Sequence, residues 1–242
     1  MPTLLLVRHG RSTANTAGVL AGWTPGVHLD DTGREQAAAL GRRLAAVPLA
    51  ALVVSPLERC QETAAGIGAV DGPDGPRPAP LTDERLGECK YGDWTGREIR
   101  ALTKEPLWRT VQQHPSAAVF PGPGGEGLAQ MQHRAVSAVR EHDARVAAEH
   151  GEDAVWVAVS HGDVIKAVLA DALGMHLDLF QRVSADPCSV SVVRYAPLRP
   201  FVLRMNDTGG DLSGLAPPRR RRRARRAVPS SDAVVGGGTG AA

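Results

Sequence analysis

Residues 3–10 read TLLLVRHG, an unbroken apolar run from Leu4 to Val7 that stops at Arg8, His9 and Gly10. A run of this length between polar residues is the pattern of a strand buried on both faces. A buried strand that ends in a cation and a histidine delivers them where open α/β sheets bind ligands. Gly10 permits a sharp backbone turn and leaves space beside the histidine. Alone, the stretch reads equally well as a strand end carrying surface charges.

Two other stretches repeat the arrangement. Ala154 to Val159 (AVWVAV) runs into Ser160, His161 and Gly162, and Val53–Val54 runs into Ser55, Pro56, Leu57, Glu58 and Arg59. Two histidines and two arginines at the ends of three expected strands suit a dianionic phosphoryl group, which needs several cationic donors and a nucleophile in line.

The remaining pattern alternates strands with helices. Asp31 or Thr32 is expected to cap a helix, with Glu35 completing a capping box, and Ala37, Leu40, Leu44 and Val47 carry its apolar face up to Pro48. A helix is expected from Pro56 to about Ile67, and a short strand within Leu81 to Glu88. Thr16 to His28 reads as a loop over the site. A short helix around Arg97 to Thr103 should give way to irregular structure before the breaker PGPGGEG at Pro121 to Gly127. Leu128 to about Ala148 reads as a long helix, Val164 to Leu173 as a second, and Ser189–Tyr195 with Pro200–Arg204 as a late hairpin. The expected fold is α/β: a three-layer α/β/α sandwich with a mostly parallel central sheet.

The 242 residues suffice for one globular domain, placed at 1–208, followed by an Arg/Gly-rich tail at 209–242 that reads as disordered. The net charge of +2 conceals a division: residues 219–242 carry +6, which leaves −4 for residues 1–218. The mildly acidic domain gives no reason to expect specific nucleic-acid binding. The run Arg219 to Arg226 reads as a solvated appendage, with polyanion or anionic-lipid binding as the alternative. No apolar stretch approaches the ~20 residues of a membrane span, and the N-terminus has no secretory pattern. Cys60, Cys89 and Cys188 are odd in number and lack metal-ligand spacing, which fits a reduced, cytoplasmic protein. A homodimer stays open.

The chain resembles the histidine phosphatase superfamily, the phosphoglycerate-mutase-like proteins. The matching pieces are RHG at Arg8 to Gly10, RSTAN at Arg11 to Asn15, LDDTGREQA at Leu29 to Ala37, SPLERCQETA at Ser55 to Ala64, LGECKYGDWTG at Leu86 to Gly96, and SHG at Ser160 to Gly162. They stand in the family order and cover about the first 205 residues.

The resemblance implies that His9 is the nucleophile and that a phosphohistidine forms, which splits one difficult displacement into two. It implies that Arg8, Arg59 and His161 surround the phosphoryl group, with Asn15 and Gly162 as further phosphate contacts. It maps the proton-transferring acid onto Glu88, with Glu84 the competing choice. The plain alternatives are a surface salt bridge between Arg59 and Glu62, and a turn-capping Asn15. The expected activity is metal-independent hydrolysis of a small-molecule phosphomonoester, with no cofactor. A phosphoglycerate-mutase-type enzyme using 2,3-bisphosphoglycerate is the alternative, and a silent phospho-ligand-binding protein a further one. Against the mutase stand Arg11, where family mutases carry an acidic residue, and the lack of paired arginines between Ile99 and Pro121. GGEG at Gly124 to Gly127 resembles the GGES segment of family phosphatases, with Gly127 in place of Ser. Arg11 is also expected to add positive charge near the site, favouring a substrate with a second anionic group.

Overall fold

The computed structural model describes residues 1–209; the tail from 210 onward, including Arg219 to Arg226, lies outside the described residues. The elements in chain order are β1 (Thr3–Arg8), α1 (Thr13–Ala17), α2 (Asp31–Arg43), β2 (Leu49–Val54), α3 (Glu58–Gly68), β3 (Pro80–Thr82), α4 (Ile99–Leu102), α5 (Pro106–Gln113), α6 (Leu128–His150), β4 (Val155–Ser160), α7 (Gly162–Ala172), β5 (Val190–Tyr195) and β6 (Pro200–Asp207). Six strands form one sheet in the order β3-β2-β4-β1-β5-β6. The first four of that order run parallel, and β5 and β6 close the sheet as an antiparallel pair.

Both faces of the sheet are covered, and the alternation of side chains along each strand divides the core. Leu4, Leu6, Val53, Trp156 and Ala158 pack into one apolar cluster with α6 and α7. Leu5, Val7, Leu52, Val54, Val157 and Val159 pack into a second with α2 and α3. This is why β1 and β4 are apolar at successive positions. Each such fully buried Leu or Val is worth roughly 1.5–3 kcal/mol over its exposed state. Among the described residues no helix is long and apolar enough to cross a membrane.

The structure departs from expectation in four places. The cap of α2 is Asp30, whose Oδ1 accepts the Gly33 N–H at 2.7 Å, not Asp31 or Thr32. Thr32 instead accepts a bond from Arg11 at 2.8 Å. α2 stops at Arg43, short of Pro48, and a turn carries the chain into β2. The segment expected to be a loop begins with α1, where Ser12 Oγ accepts from Asn15 N and Asn15 Oδ1 accepts from Ser12 N. The segment expected to be irregular holds α5, which Pro106 opens at the first helical position and which buries Trp108 and Val111.

Candidate active site

The three chemistry-bearing strand ends are neighbours because β4 lies between β2 and β1. The register aligns them within one rung: Arg8 stands opposite Ser160, His9 N–H donates to Ser160 O at 3.0 Å, and Ser55 N–H donates to Val159 O at 3.0 Å. Arg8, His9, His161 and Arg59 are all buried at this edge. A small cleft opens here, lined by His9, Ser12, Asn15, Arg59, Glu88 and Tyr91 on its polar side and by Val19, Leu20 and Ile99 on its apolar side, while Arg8 and His161 lie behind this lining.

His9 Nδ1 lies 2.7 Å from Gly10 O, an acceptor only, so Nδ1 carries the proton and Nε2 keeps its lone pair. Burial, then the charges of Arg59 and Arg8, hold the proton affinity of His9 well below the ordinary histidine value. The ring is therefore neutral at pH 7, as a nitrogen nucleophile must be. His161 meets it edge to face, with ring centroids 5.2 Å apart. Burial and Arg59 lower the proton affinity of His161 as well, so it is a neutral imidazole rather than an imidazolium. Its Nε2 lies 2.8 Å from Ser55 Oγ.

Arg59, in the first turn of α3, donates to Gly22 O at 2.9 Å, while its Nη1 is buried without a hydrogen-bond partner. A buried cationic N–H left unsatisfied at the floor of a cleft is suited to an incoming oxyanion. The alternative pairing with Glu62 does not form: Glu62 bonds His28 and the Leu29 N–H instead. Arg8 donates to Ala185 O at 2.8 Å. Asn15 both lines the cleft and caps α1 through its carbonyl oxygen, so its two readings coexist. Gly162 is buried at the first position of α7.

Of the two candidates for the acid, Glu88 is buried and lines the cleft, whereas Glu84 is exposed and does not line it. Burial, then the nearby Asp163, push the Glu88 carboxyl up to about 7, against the lowering effect of Arg59 and the Cys89 N–H. Oε1 accepts that N–H at 2.9 Å, and Oε2 lies 3.9 Å from His161 Nδ1. A carboxyl that holds its proton near neutrality can give it up and take one back.

Sequence reasoning passed over several residues at this site. Thr63 Oγ1 accepts the Gly10 N–H at 3.0 Å and donates to Arg59 O at 2.7 Å, tying the β1 turn to α3. Asp163 accepts from Tyr91 OH and from Lys166 Nζ, both at 3.1 Å, and is fully buried. Its place in the first turn after SHG was the available signal, since a carboxylate there suits a helix N-terminus. Cys60 Sγ packs 3.4 Å from His161 Nε2, and burial pushes its thiol up to about 12. Arg11 does not do what the sequence suggested. Its Nε pairs with Asp30 at 2.6 Å and its guanidinium bonds Thr32, so it ties the turn to α2 and does not line the cleft.

The model of the histidine phosphatase superfamily (branch 1) matches residues 4–208, and the chain belongs to that family. Phosphoserine phosphatase 1 of Hydrogenobacter thermophilus is 29% identical over 211 residues, covering 86% of this chain and 93% of its own. A 2,3-bisphosphoglycerate-dependent phosphoglycerate mutase 2 of Gloeobacter violaceus is 30% identical over 189 residues, covering 78% and 83%. Among solved structures, Bacillus stearothermophilus YhfR superimposes with a TM-score of 0.72 at 30% identity, covering 86% of this chain and 98% of that one. Phosphatases and phosphomutases both stand among these relatives, so the chain is an enzyme of phosphoryl transfer.

Proposed function

We propose that the chain is a phosphomonoester hydrolase that works without a metal, through a phosphohistidine on His9. The observation that carries this reading is the tautomer-fixed, neutral His9 beside the unsatisfied Arg59 Nη1 in one cleft. Nε2 of His9 attacks phosphorus, and the P–O bond to the leaving alcohol breaks. Arg8, Arg59, His161, Asn15 and the Gly162 end of α7 hold the equatorial oxygens, where the transition-state charge lies. Glu88 gives its proton to the departing oxygen. It then takes a proton from the water that attacks the phosphohistidine, which releases phosphate and restores His9.

Hydrolysis is favoured over mutase action by the middle of the chain. Arg100, Lys104 and Arg109 are exposed, and none of them lines the cleft. Three free, buried cysteines suit a reducing, cytoplasmic setting.

The test is a panel of phosphate monoesters with EDTA, for wild type and His9→Ala, with and without 2,3-bisphosphoglycerate. Phosphate release by wild type alone, with an alkali-stable phosphoenzyme detected by intact mass, is the expected result. Isomerisation of a phosphoglycerate that requires the bisphosphate would replace this reading with the mutase, and turnover that survives His9→Ala would remove His9 from the chemistry.

A further inference from the structure

The carboxyl of Glu88 sits on a segment with little regular structure, between a 3-10 turn at Glu84–Leu86 and another at Gly92–Trp94. Such a segment does not hold a side chain to catalytic tolerance without outside support. Trp23 Nε1 donates to Glu88 O at 2.6 Å and Ser160 Oγ to Leu86 O at 2.7 Å, and the largest set of bonds comes from α6, which contributes nothing to the cleft lining.

Arg134 of α6 uses all five of its N–H groups on this segment and its anchor. Nη1 donates to Arg85 O at 2.7 Å and to Gly87 O at 2.9 Å, and Nη2 donates to Glu88 O at 2.9 Å. Two of these oxygens belong to the end of the 3-10 turn, where carbonyls lack partners of their own. The remaining donors, Nε and Nη2, form a two-pronged pair with Glu126 at 2.6 and 2.8 Å. Glu126 closes the loop back onto the same segment: its carboxylate accepts the Lys90 N–H at 3.1 Å, and its own N–H donates to Lys90 O at 2.8 Å. Residues 85–90 are thus strapped at both ends to one ion pair. That pair is largely buried, with side chains 19% and 11% exposed.

We propose that the Arg134–Glu126 pair is the positioning device for Glu88, fixing the backbone of 85–90 so that the carboxyl reaches the leaving oxygen. The proposal rests on Glu88 as the proton donor of the hydrolysis above. Arg134 acts only through the peptide backbone and touches no reacting atom. The side chain has to be Arg: a lysine offers three donors on a flexible stem and cannot serve three carbonyls and a carboxylate together. Glu126 is also the part of the GGEG segment that the sequence comparison singled out without giving it a task.

The test compares Arg134→Lys with wild type on two esters, a simple alkyl phosphate and 2,4-dinitrophenyl phosphate, reading kcat/KM. For both, kcat/KM reports transfer to the histidine, and only the alkoxide needs a proton as it leaves. The expected result is a loss of at least about tenfold on the alkyl ester, within the range general acid catalysis supplies, against about threefold or less on the activated one. Glu126→Gln, which keeps the acceptor but removes its charge, should show the same selectivity at smaller size. In a Glu88→Gln background, Arg134→Lys should add nothing on the alkyl ester. An equal loss on both esters would reduce Arg134 to general stability, and no loss on either would overturn the proposal. Failure of wild type to turn over any ester would instead sink the hydrolase reading on which it rests.

Discussion

Thr63→Val should damage stability and catalysis together, because one hydroxyl joins the nucleophile's turn to the helix that carries Arg59. The side chain is fully buried, and valine matches its shape. The substitution therefore makes no cavity and removes only the acceptor of the Gly10 N–H and the donor to Arg59 O. Arg59 O lies within α3 and keeps its helical environment. The Gly10 N–H is left buried and unpaired, which costs about 1–3 kcal/mol. For a domain of this size that lowers Tm by roughly 2–12 °C, at about 2–4 °C per kcal/mol. The same residue, through its next peptide group, supplies the carbonyl that fixes the His9 tautomer. A shift of that peptide moves Nε2 off line, and displacements of about 1 Å cost on the order of 100-fold in rate. Denaturant melts and kcat/KM on the best ester are the assays, with Thr63→Ser as the control that restores the hydroxyl. A Thr63→Val protein with wild-type stability and activity would refute the argument. So would a Thr63→Ser protein as impaired as Thr63→Val.

Other substitutions test separate parts of the site. Ser55→Ala frees His161 Nε2 from its 2.8 Å partner and should lower kcat by about tenfold or more with little change in melting temperature. Glu88→Gln should abolish the fall in alkyl-ester kcat/KM that wild type shows as pH rises through about 7. It should also be more stable than wild type above neutrality. A carboxyl whose folded value is raised contributes most below its unfolded value of about 4.3 and loses that contribution as pH rises through about 7, so the margin should widen between those pH values in thermal melts. Arg11→Ala should cost about 1 kcal/mol or less, the size of a partly exposed ion pair, and leave the ratio of kcat/KM for mono- and bis-anionic esters unchanged. Gly127→Ser should stabilise by about 0.5–1 kcal/mol, since the cap of α6 has extended backbone, room for a Cβ and no side-chain oxygen to offer.

Most of the fold was legible because its strands announce themselves. β1 and β4 are apolar at every buried position up to their last residues, the buried Arg8 and Ser160, so their ends could be placed to within about one residue. His9, Arg8, Arg59 and His161 could be singled out for the same reason, since each stands within a few residues of a strand end. What the sequence hid depends on contacts across the chain. α1 is five residues held by a Ser12–Asn15 exchange, too short to show periodicity. α5 is marked only by Pro106 before Trp108 and Val111. Arg11 looked like a site cation because it is next to RHG, yet its partner Asp30 is nineteen positions away in sequence. Thr63 and Arg134 could not be ranked at all, because a hydroxyl or a guanidinium gains its role only when the tertiary fold brings its partners.

The arrangement of charge explains why so much of the site lies outside the motifs. Arg8 and Arg59 are 0% and 2% exposed, and two guanidiniums held this deep are costly unless anions stand near them. The carboxyls of Glu88 and Asp163 stand near them, and both act on Arg8 by charge when ionised. If the carboxylates balanced the arginines fully, nothing would remain to attract a phosphoryl group. The fold avoids this by giving each carboxylate a second obligation. Asp163 is shared with Tyr91 and Lys166, and Glu88 is held close to neutral by its burial. The surplus positive charge is left on the Arg59 side of the cleft, where Nη1 has no partner. A dianion entering there replaces no existing ion pair, so its binding meets donors already in place and the reaction needs little reorganisation. On this argument Asp163→Asn should strengthen phosphate binding, because it removes a competing anion. It should do so at the expense of turnover, since Glu88 would ionise more readily and lose the proton it has to give. Phosphate inhibition constants measured beside alkyl-ester kcat at pH 7 would show the two effects moving in opposite directions, and a parallel loss of both would refute the charge argument.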